Sequence, residues 1–170
     1  MKDVVNINVG ENMEAVGIFG NGFAYFTGDS NNGTLNLSGT ATVKAEDTNI
    51  NVDGTVDGIV NGGLAIDDSQ SNRTNAIVTT ETGTINIGSS AVVNTIEFDG
   101  FNDLVGKVPT DKIDMASYVA GVKEAAEGVA IAAGGVAVGG GAESVVKNAE
   151  VNVFGTVNGD IIGGGVGALW

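Results

Sequence analysis

Cysteine and histidine are both absent from this chain of 170 residues. Without cysteine the chain has no disulfide, no thiolate nucleophile and no thiolate metal site. Without histidine as well, catalysis by a nucleophile with an imidazole base is excluded. A serine–lysine pair at a recognisable spacing is also missing. Of the common catalytic classes, acid–base chemistry by two carboxylates stays open.

Basic residues are scarce, with 7 Lys and Arg against 21 Asp and Glu, and the formal net charge is −14. Such a surface repels phosphate backbones and anionic lipids, so we expect no nucleic-acid partner. No stretch approaches the roughly 18 continuous apolar residues of a membrane span, so we expect no membrane insertion in this segment. Residues 1–6 lack the apolar region of a signal peptide, and a signal for export would therefore lie outside this sequence.

Proline occurs once and aromatic residues make up only 5% of the chain, whereas glycine occurs 28 times. The core must therefore be built from Val, Ile, Leu and Ala, which suits short repetitive strands better than a bulky globular interior. Turns are expected to use Gly, Asn and Asp at positive φ instead of proline.

A long phrase of the sequence is present twice, at residues 49–63 (NINVDGTVDGIVNGG) and at residues 150–164 (EVNVFGTVNGDIIGG). Self-similarity of this kind is typical of stacked units that bury their apolar faces against each other. Roughly seven coils would fit if each takes about 20–25 residues. Glycine-rich residues follow the second phrase without a polar cap, so we expect a fragment of a longer array.

A shorter motif, an asparagine between two aliphatic residues, predicts half-buried strands with the asparagine on the outer face. It occurs as Ile7-Asn8-Val9, Leu35-Asn36-Leu37, Ile50-Asn51-Val52, Ile85-Asn86-Ile87 and Val151-Asn152-Val153. The irregular spacing favours rungs with variable loops over a strict repeat. Polar loops are predicted at 28–33 and 67–73, and these are the favoured places for partner contacts.

A helix is predicted over residues 111–127, where small and aliphatic residues recur at helical spacing after Pro109. The small-sided segment 129–141 that follows alternates like a tightly packed strand. We therefore expect one β-solenoid domain or fragment over residues 1–170, with a helical insertion at 109–128. The glycine runs at 139–141 and 163–165 are predicted to be turns, because neither has a phosphate-binding motif around it.

Six carboxylates are candidates for acid–base chemistry on a glycan: Asp53, Asp57, Asp67, Asp68, Glu97 and Asp99. Their spacing in the sequence does not show which two would form a catalytic pair. The favoured interpretation is that they are solvated carboxylates on the surface. Asp67-Asp68, or Asp29 with Asn31, offer oxygen ligands for calcium, yet neither an EF-hand loop nor a calcium-binding nonapeptide is present. We therefore predict no catalytic, cofactor-binding or metal-binding residue.

Aromatic residues form two small groups in the sequence, one at Phe19, Phe23, Tyr25 and Phe26 and the other at Phe98 and Phe101. Their apolar character favours places at the ends of the core. An exposed binding patch is the alternative.

The repeated phrase, together with the Ile7-Asn8-Val9-Gly10 and Ile85-Asn86-Ile87-Gly88 units, resembles the passenger regions of bacterial autotransporter adhesins. The likeness covers most of the chain except about 100–128. It implies a right-handed parallel β-helix that is exported by type V secretion and displayed on the Gram-negative outer membrane for adhesion or aggregation. It carries over no functional residues, because such passengers share a scaffold and not a catalytic motif.

Three functions follow as expectations. The first is a non-catalytic, surface-displayed β-helical adhesin segment that binds a host or bacterial surface protein or glycan, or serves as a rigid stalk. The second is a carbohydrate-active β-helix, similar to a polysaccharide lyase or glycosidase, with two loop carboxylates over a groove. The third is a trimer or filament that assembles through the small-residue segment 129–141. For this segment, packing within one chain is the favoured interpretation.

Overall fold

A computed structural model of the chain describes residues 4–20, 23–26, 39–67, 74–96, 127–138 and 142–168. Sixteen strands lie in these ranges, in four successive groups of four that we call passes. The first pass contains β1 (Val4–Val9), β2 (Glu14–Ala15), β3 (Ile18–Phe19) and β4 (Phe23–Phe26). The second contains β5 (Gly39–Val52), β6 (Thr55–Asp57), β7 (Ile59–Val60) and β8 (Leu64–Asp67). The third contains β9 (Thr74–Ile87), β10 (Val92–Asn94), β11 (Val129–Ala132) and β12 (Val136–Val138). The fourth contains β13 (Glu143–Val153), β14 (Thr156–Asn158), β15 (Asp160–Ile162) and β16 (Val166–Ala168).

Each pass contributes one strand to each of four sheets, and all neighbouring strands are parallel. The sheet orders are β1-β5-β9-β13, β2-β6-β10-β14, β3-β7-β11-β15 and β4-β8-β12-β16. The chain therefore returns to the same four sheets on every pass. The expected all-β class with parallel strands is confirmed.

The described chain forms four passes, and the expectation of about seven coils is wrong. Equivalent asparagines are 43, 35 and 66 residues apart along the chain. These separations exceed the 20–25 residues assumed because β5 and β9 have 14 residues each and because they include segments that lie between described strands. The longest separation includes residues 97–126, which lie between β10 and β11 and outside the described ranges.

The two copies of the repeated phrase lie in the second and fourth passes, so they are not neighbours. The third pass separates them, since Ile85 pairs with Ile50 on one side and with Val151 on the other. The repeating unit of the described stack is therefore two passes long.

The core is a set of aliphatic columns that run from pass to pass. Ile50, Val52, Ile85 and Ile87 are buried almost completely, because each lies between two neighbouring passes. The small-residue segment is buried as well, with Ala130 to Ala133 at 0% exposure in and directly after β11. Its small side chains suit the limited space inside the stack.

No helix is present within the described ranges. The helix predicted over 111–127 lies outside them except for Glu127, which is in a turn with Gly128. Among these residues there is also no helix of the length and apolarity that crossing a membrane requires.

Candidate functional site

One ladder of asparagine side chains crosses all four passes on the outer face of the first sheet. The amide nitrogen of each asparagine donates to the side-chain oxygen of the asparagine in the pass before it. The distances are 2.9 Å for Asn51 to Asn8, 2.9 Å for Asn86 to Asn51 and 3.0 Å for Asn152 to Asn86. An asparagine amide both donates and accepts, so a column of them can continue from strand to strand.

The ladder confirms the strand prediction for four of the five asparagine triplets. Their aliphatic residues stack in register on the opposite face, as in the column Val9, Val52, Ile87 and Val153. The triplet Leu35-Asn36-Leu37 lies outside the described residues.

Two shorter ladders run parallel to the first. In one, Asn49 donates its amide to Asn6 at 3.1 Å. In the other, Asn94 donates to Asp57 at 3.0 Å and Asn158 donates to Asn94 at 3.1 Å. Asp57, one of the six candidate carboxylates, is therefore an acceptor in a structural ladder.

A column of turns lies where the first sheet gives way to the second, and we call it the turn corner. It consists of residues 10–13, 53–54, 88–91 and 154–155, one turn from each pass. Four-residue turns in the first and third passes alternate with two-residue turns in the second and fourth. The long turns close on themselves, with Met13 N donating to Gly10 O at 3.1 Å and Ala91 N to Gly88 O at 3.0 Å.

The glycine of each short turn fits against the long turn before it. A Cβ on Gly54 would lie 2.3 Å from Met13 O, and one on Gly155 would lie 2.3 Å from Gly88 O. These contacts are with backbone atoms, so the clash cannot be relieved by rotating a side chain. Glycine is required at both positions because another backbone approaches so closely.

An acidic groove of about 560 Å³ opens at the turn corner of the first three passes. Its lining includes the carboxylates of Glu11, Glu14 and Asp53 and the hydroxyl of Ser90. Ser90 Oγ lies 3.2 Å from Asp53 O and 3.4 Å from Glu11 Oε1, which links the third pass to the other two. Asn12, also in the lining, adopts φ 63°, a left-handed conformation that asparagine tolerates in turns. This surface suits hydrogen-bond donors and positively charged groups.

The structure brings only one of the six candidate carboxylates, Asp53, into this groove. Asp57 belongs to a ladder, and Asp67 is the last residue of β8. Asp68, Glu97 and Asp99 lie outside the described residues, as do Asp29 and Asn31 of the suggested calcium loop. Within the described ranges no group of three or more acidic residues has an arrangement that would hold a metal ion.

The aromatic prediction is only partly covered by the described residues. Phe19 in β3 is half-buried. Phe23, Tyr25 and Phe26 form most of β4, whose backbone pairs with β8. Phe98 and Phe101 lie outside the described residues. The glycine run at 163–165 forms a turn between β15 and β16, as predicted, whereas 139–141 lies outside the described ranges.

Sequence reasoning missed the most exposed large apolar residue of the described chain, Phe154, which is 76% exposed at the turn corner of the fourth pass. A signal for it was present, because Phe154 replaces Asp53 when the two copies of the phrase are aligned. A position that holds an aspartate in one copy faces solvent, so the phenylalanine in the other copy does too.

Exposed large apolar side chains are found, among the described residues, only in the first and fourth passes. They are Val4, Met13, Val16, Val153, Phe154 and Ile161. The candidate functional surface therefore has two parts, the acidic groove on the first three passes and the apolar patch on the fourth. Comparison of the chain with models of protein families, with curated proteins and with solved structures finds no match.

Proposed function

We propose that this chain is a non-catalytic, surface-displayed segment of a secreted bacterial adhesin, built as a right-handed parallel β-helix. The observation that carries the proposal is the in-register stacking of four passes with an unbroken asparagine ladder. Stacked passes of this kind make an elongated scaffold in which each unit supports its neighbours. The likeness of the repeated phrase to autotransporter passengers supports the same conclusion.

A general preference of parallel strands supports the proposed right-handed coil. Each pass leaves a sheet and returns to it beside the previous strand in the same direction. Connections between parallel strands of one sheet are right-handed in the great majority of proteins.

A displayed scaffold also needs a surface that resists nonspecific contact. The net charge of −14 opposes nonspecific association in dilute salt and limits adsorption to anionic lipids. Phe154 then supplies the adhesive surface, because its apolar ring is exposed at the turn corner of the fourth pass. Exposed aromatic residues contribute strongly to binding at protein and glycan surfaces.

The experiment is display of the full chain on a Gram-negative reporter strain that lacks other adhesins. We expect protease-resistant surface protein and increased attachment to host cells or to other bacteria. Phe154→Ser should lower attachment toward that of the empty strain, whereas Ser89→Ala, at an exposed position in a different turn of the corner, should not.

The outcomes separate the two roles within the proposal. Surface protein that is folded but never adhesive, in the wild type as well as in both variants, would assign the chain to the stalk alone. A chain that is degraded whenever it reaches the outside would contradict display altogether.

A second proposal, glycan cleavage, rests on the acidic groove alone. Glu11, Glu14 and Asp53 line one open cavity, and glycosidases need two carboxylates across such a space. The test is release of reducing ends from a panel of polysaccharides by the wild type, by Asp53→Asn and by Asp57→Asn. Turnover that is abolished by Asp53→Asn but retained by Asp57→Asn would establish this activity. No turnover on any polysaccharide would reject it.

A further inference from the structure

We propose that a second copy of this chain stacks head to tail on the fourth pass, so that its first pass continues all four sheets. Strands β13 to β16 form one edge of the described stack and β1 to β4 form the other. Within the described chain each of these strands pairs on one side only. Such edges are templates for the addition of further strands. The junction would include Phe154 of the proposed adhesive patch, but the inference is argued from the strand edges and the asparagine ladder and does not depend on the proposed function.

The main asparagine ladder has a direction, and its two ends are complementary. Every amide nitrogen in it points toward the earlier pass, so the first pass ends the ladder with a donor and the fourth ends it with an acceptor. Among the described residues, Asn8 Nδ2 donates to no atom and Asn152 Oδ1 accepts from none. Stacking head to tail places Asn8 of the second copy over Asn152 and continues the ladder.

The neighbouring column repeats this complementarity with a charge. Asn6 accepts from Asn49 through its oxygen, which leaves its amide nitrogen directed away from the stack. Strand register places Asn6, Asn49, Thr84 and Glu150 in one column. Asn6 of the second copy would therefore meet the Glu150 carboxylate, and an amide donor to a carboxylate is a strong hydrogen bond.

Long and short turns alternate from pass to pass, so the short turn of the fourth pass should be followed by a long turn, and the first pass has one. The contact between a short turn and the long turn that follows it is seen between the second and third passes. There Gly88 N donates to Val52 O at 2.8 Å and Val92 N donates to Gly54 O at 3.0 Å. At the proposed junction, Gly10 and Glu14 of the second copy would donate in the same way to Val153 O and Gly155 O.

Two of the exposed apolar side chains, Val153 and Phe154, lie where this junction would bury them. Val153 is 40% exposed, whereas Val52 and Ile87 in the same column are at most 1% exposed. Val9 of the second copy would cover Val153. Phe154 would lie over Gly10 and beside Met13 of the second copy, and a methionine sulfur packs favourably against an aromatic ring.

The geometry of the junction excludes a closed dimer. The two joined surfaces are different, and each added copy presents a new free fourth pass, so the product is an open filament. Because every copy carries a charge of −14, repulsion opposes stacking in dilute salt. The Debye length falls from about 30 Å at 0.01 M to about 3 Å at 1 M salt, so added salt should strengthen the association.

The first test is sedimentation velocity of the full chain over a wide concentration range at low and at high sodium chloride. We expect a series of species that grows with concentration and with salt. Phe154→Lys should weaken the association about tenfold or more. Burial of a large apolar side chain contributes at least that factor to an association constant, and the variant loses this burial. Ser89→Lys adds the same charge at an exposed turn of the third pass and should not weaken it.

The second test uses the absence of cysteine, which removes any background of disulfides. Paired parallel strands lie about 4.8 Å apart, a separation that a disulfide can span. We expect a disulfide-linked dimer when the Asn8→Cys and Asn152→Cys proteins are mixed and oxidised, and little dimer from either alone. Equal dimer from each protein alone, or a monomer at every concentration and salt, would overturn the proposal.

Discussion

The inner and outer passes of this chain are built from similar residues but differ in what surrounds them. In the column Val9, Val52, Ile87 and Val153, the two inner side chains are almost fully buried, whereas Val153 in the fourth pass is substantially exposed. The same contrast separates the buried Ile59 and Ile131 from Ile161. The absence of a following pass therefore exposes aliphatic residues of the fourth pass, whereas Val9 and Ile18 in the first pass stay buried, at 8% and 5% exposure.

The glycine of a short turn should be highly sensitive to substitution, because neighbouring backbone encloses it. Gly54→Ala places a methyl group against Met13 O and Gly10 O, which are backbone atoms of the neighbouring pass. We expect a loss of about 3 kcal/mol or more of unfolding free energy, at the upper end of the cost of overpacking. Urea denaturation followed by circular dichroism measures it.

Gly163→Ala is the matched control in the fourth pass. No atom lies within 4 Å of the added methyl group there. The change should stay within about 0.5 kcal/mol, as for other surface substitutions. Similar losses for both variants would contradict the close contact between the turns.

The aliphatic column allows the same substitution to be compared at an inner and an outer pass. Val52→Ala should cost about 2 kcal/mol, because two buried methyl groups are lost and a cavity remains. Val153→Ala should cost less than about 1 kcal/mol, since Val153 is already 40% exposed. Denaturation has to be measured at low protein concentration, where the proposed stacking is dissociated. An equal cost at the two positions would show that the fourth pass is covered in solution.

In the asparagine ladder, too, a substitution in an inner pass should cost more stability than one in the fourth pass, although the difference should be smaller. Asn86 bonds to an asparagine on each side, whereas Asn152 bonds to one asparagine and to Glu150 in its own strand. Asn86→Ala leaves a donor and an acceptor without their partners and should cost about 1–2 kcal/mol. Asn152→Ala should cost about 0.5–1 kcal/mol. Thermal unfolding of the two variants measures both costs, and the reverse order would argue against a continuous ladder.

The ion pair between the third and fourth passes should contribute least. Lys147 Nζ lies 2.6 Å from Glu81 Oε1, but both side chains are substantially exposed. Lys147→Gln should therefore change stability by less than about 0.5 kcal/mol, and salt should reduce the difference further. Urea denaturation at low and at high salt measures both effects. A loss above about 1 kcal/mol would mean that this pair is shielded from solvent.

Local features of the fold were predictable from the sequence, because each is encoded by neighbouring residues. Alternation around Asn8, Asn51, Asn86 and Asn152 predicted strands with an outward asparagine, and glycine marked the turns. The exposure of Phe154 could also have been found by aligning the two copies of the phrase.

The relation between passes was harder to predict. The third pass carries little of the repeated phrase, and residues 97–126 separate its second strand from its third. Self-similarity therefore detected the second and fourth passes but not the one between them, and the predicted number of coils was too high. The acidic groove was not predicted either, since Glu11, Asp53 and Ser90 come from three different passes.

The order of the passes underlies both the fold and the proposed stacking, and engineered disulfides can establish it in solution. Neighbouring passes lie about 4.8 Å apart, and a disulfide needs Cα atoms within about 7 Å. The double variant Asn51→Cys with Asn86→Cys joins neighbouring passes and should form an intramolecular disulfide in the monomer. The double variant Asn51→Cys with Asn152→Cys joins passes that are separated by a third, so it should stay reduced as a monomer. A disulfide in the second variant but not in the first would place the two copies of the phrase side by side and contradict this order.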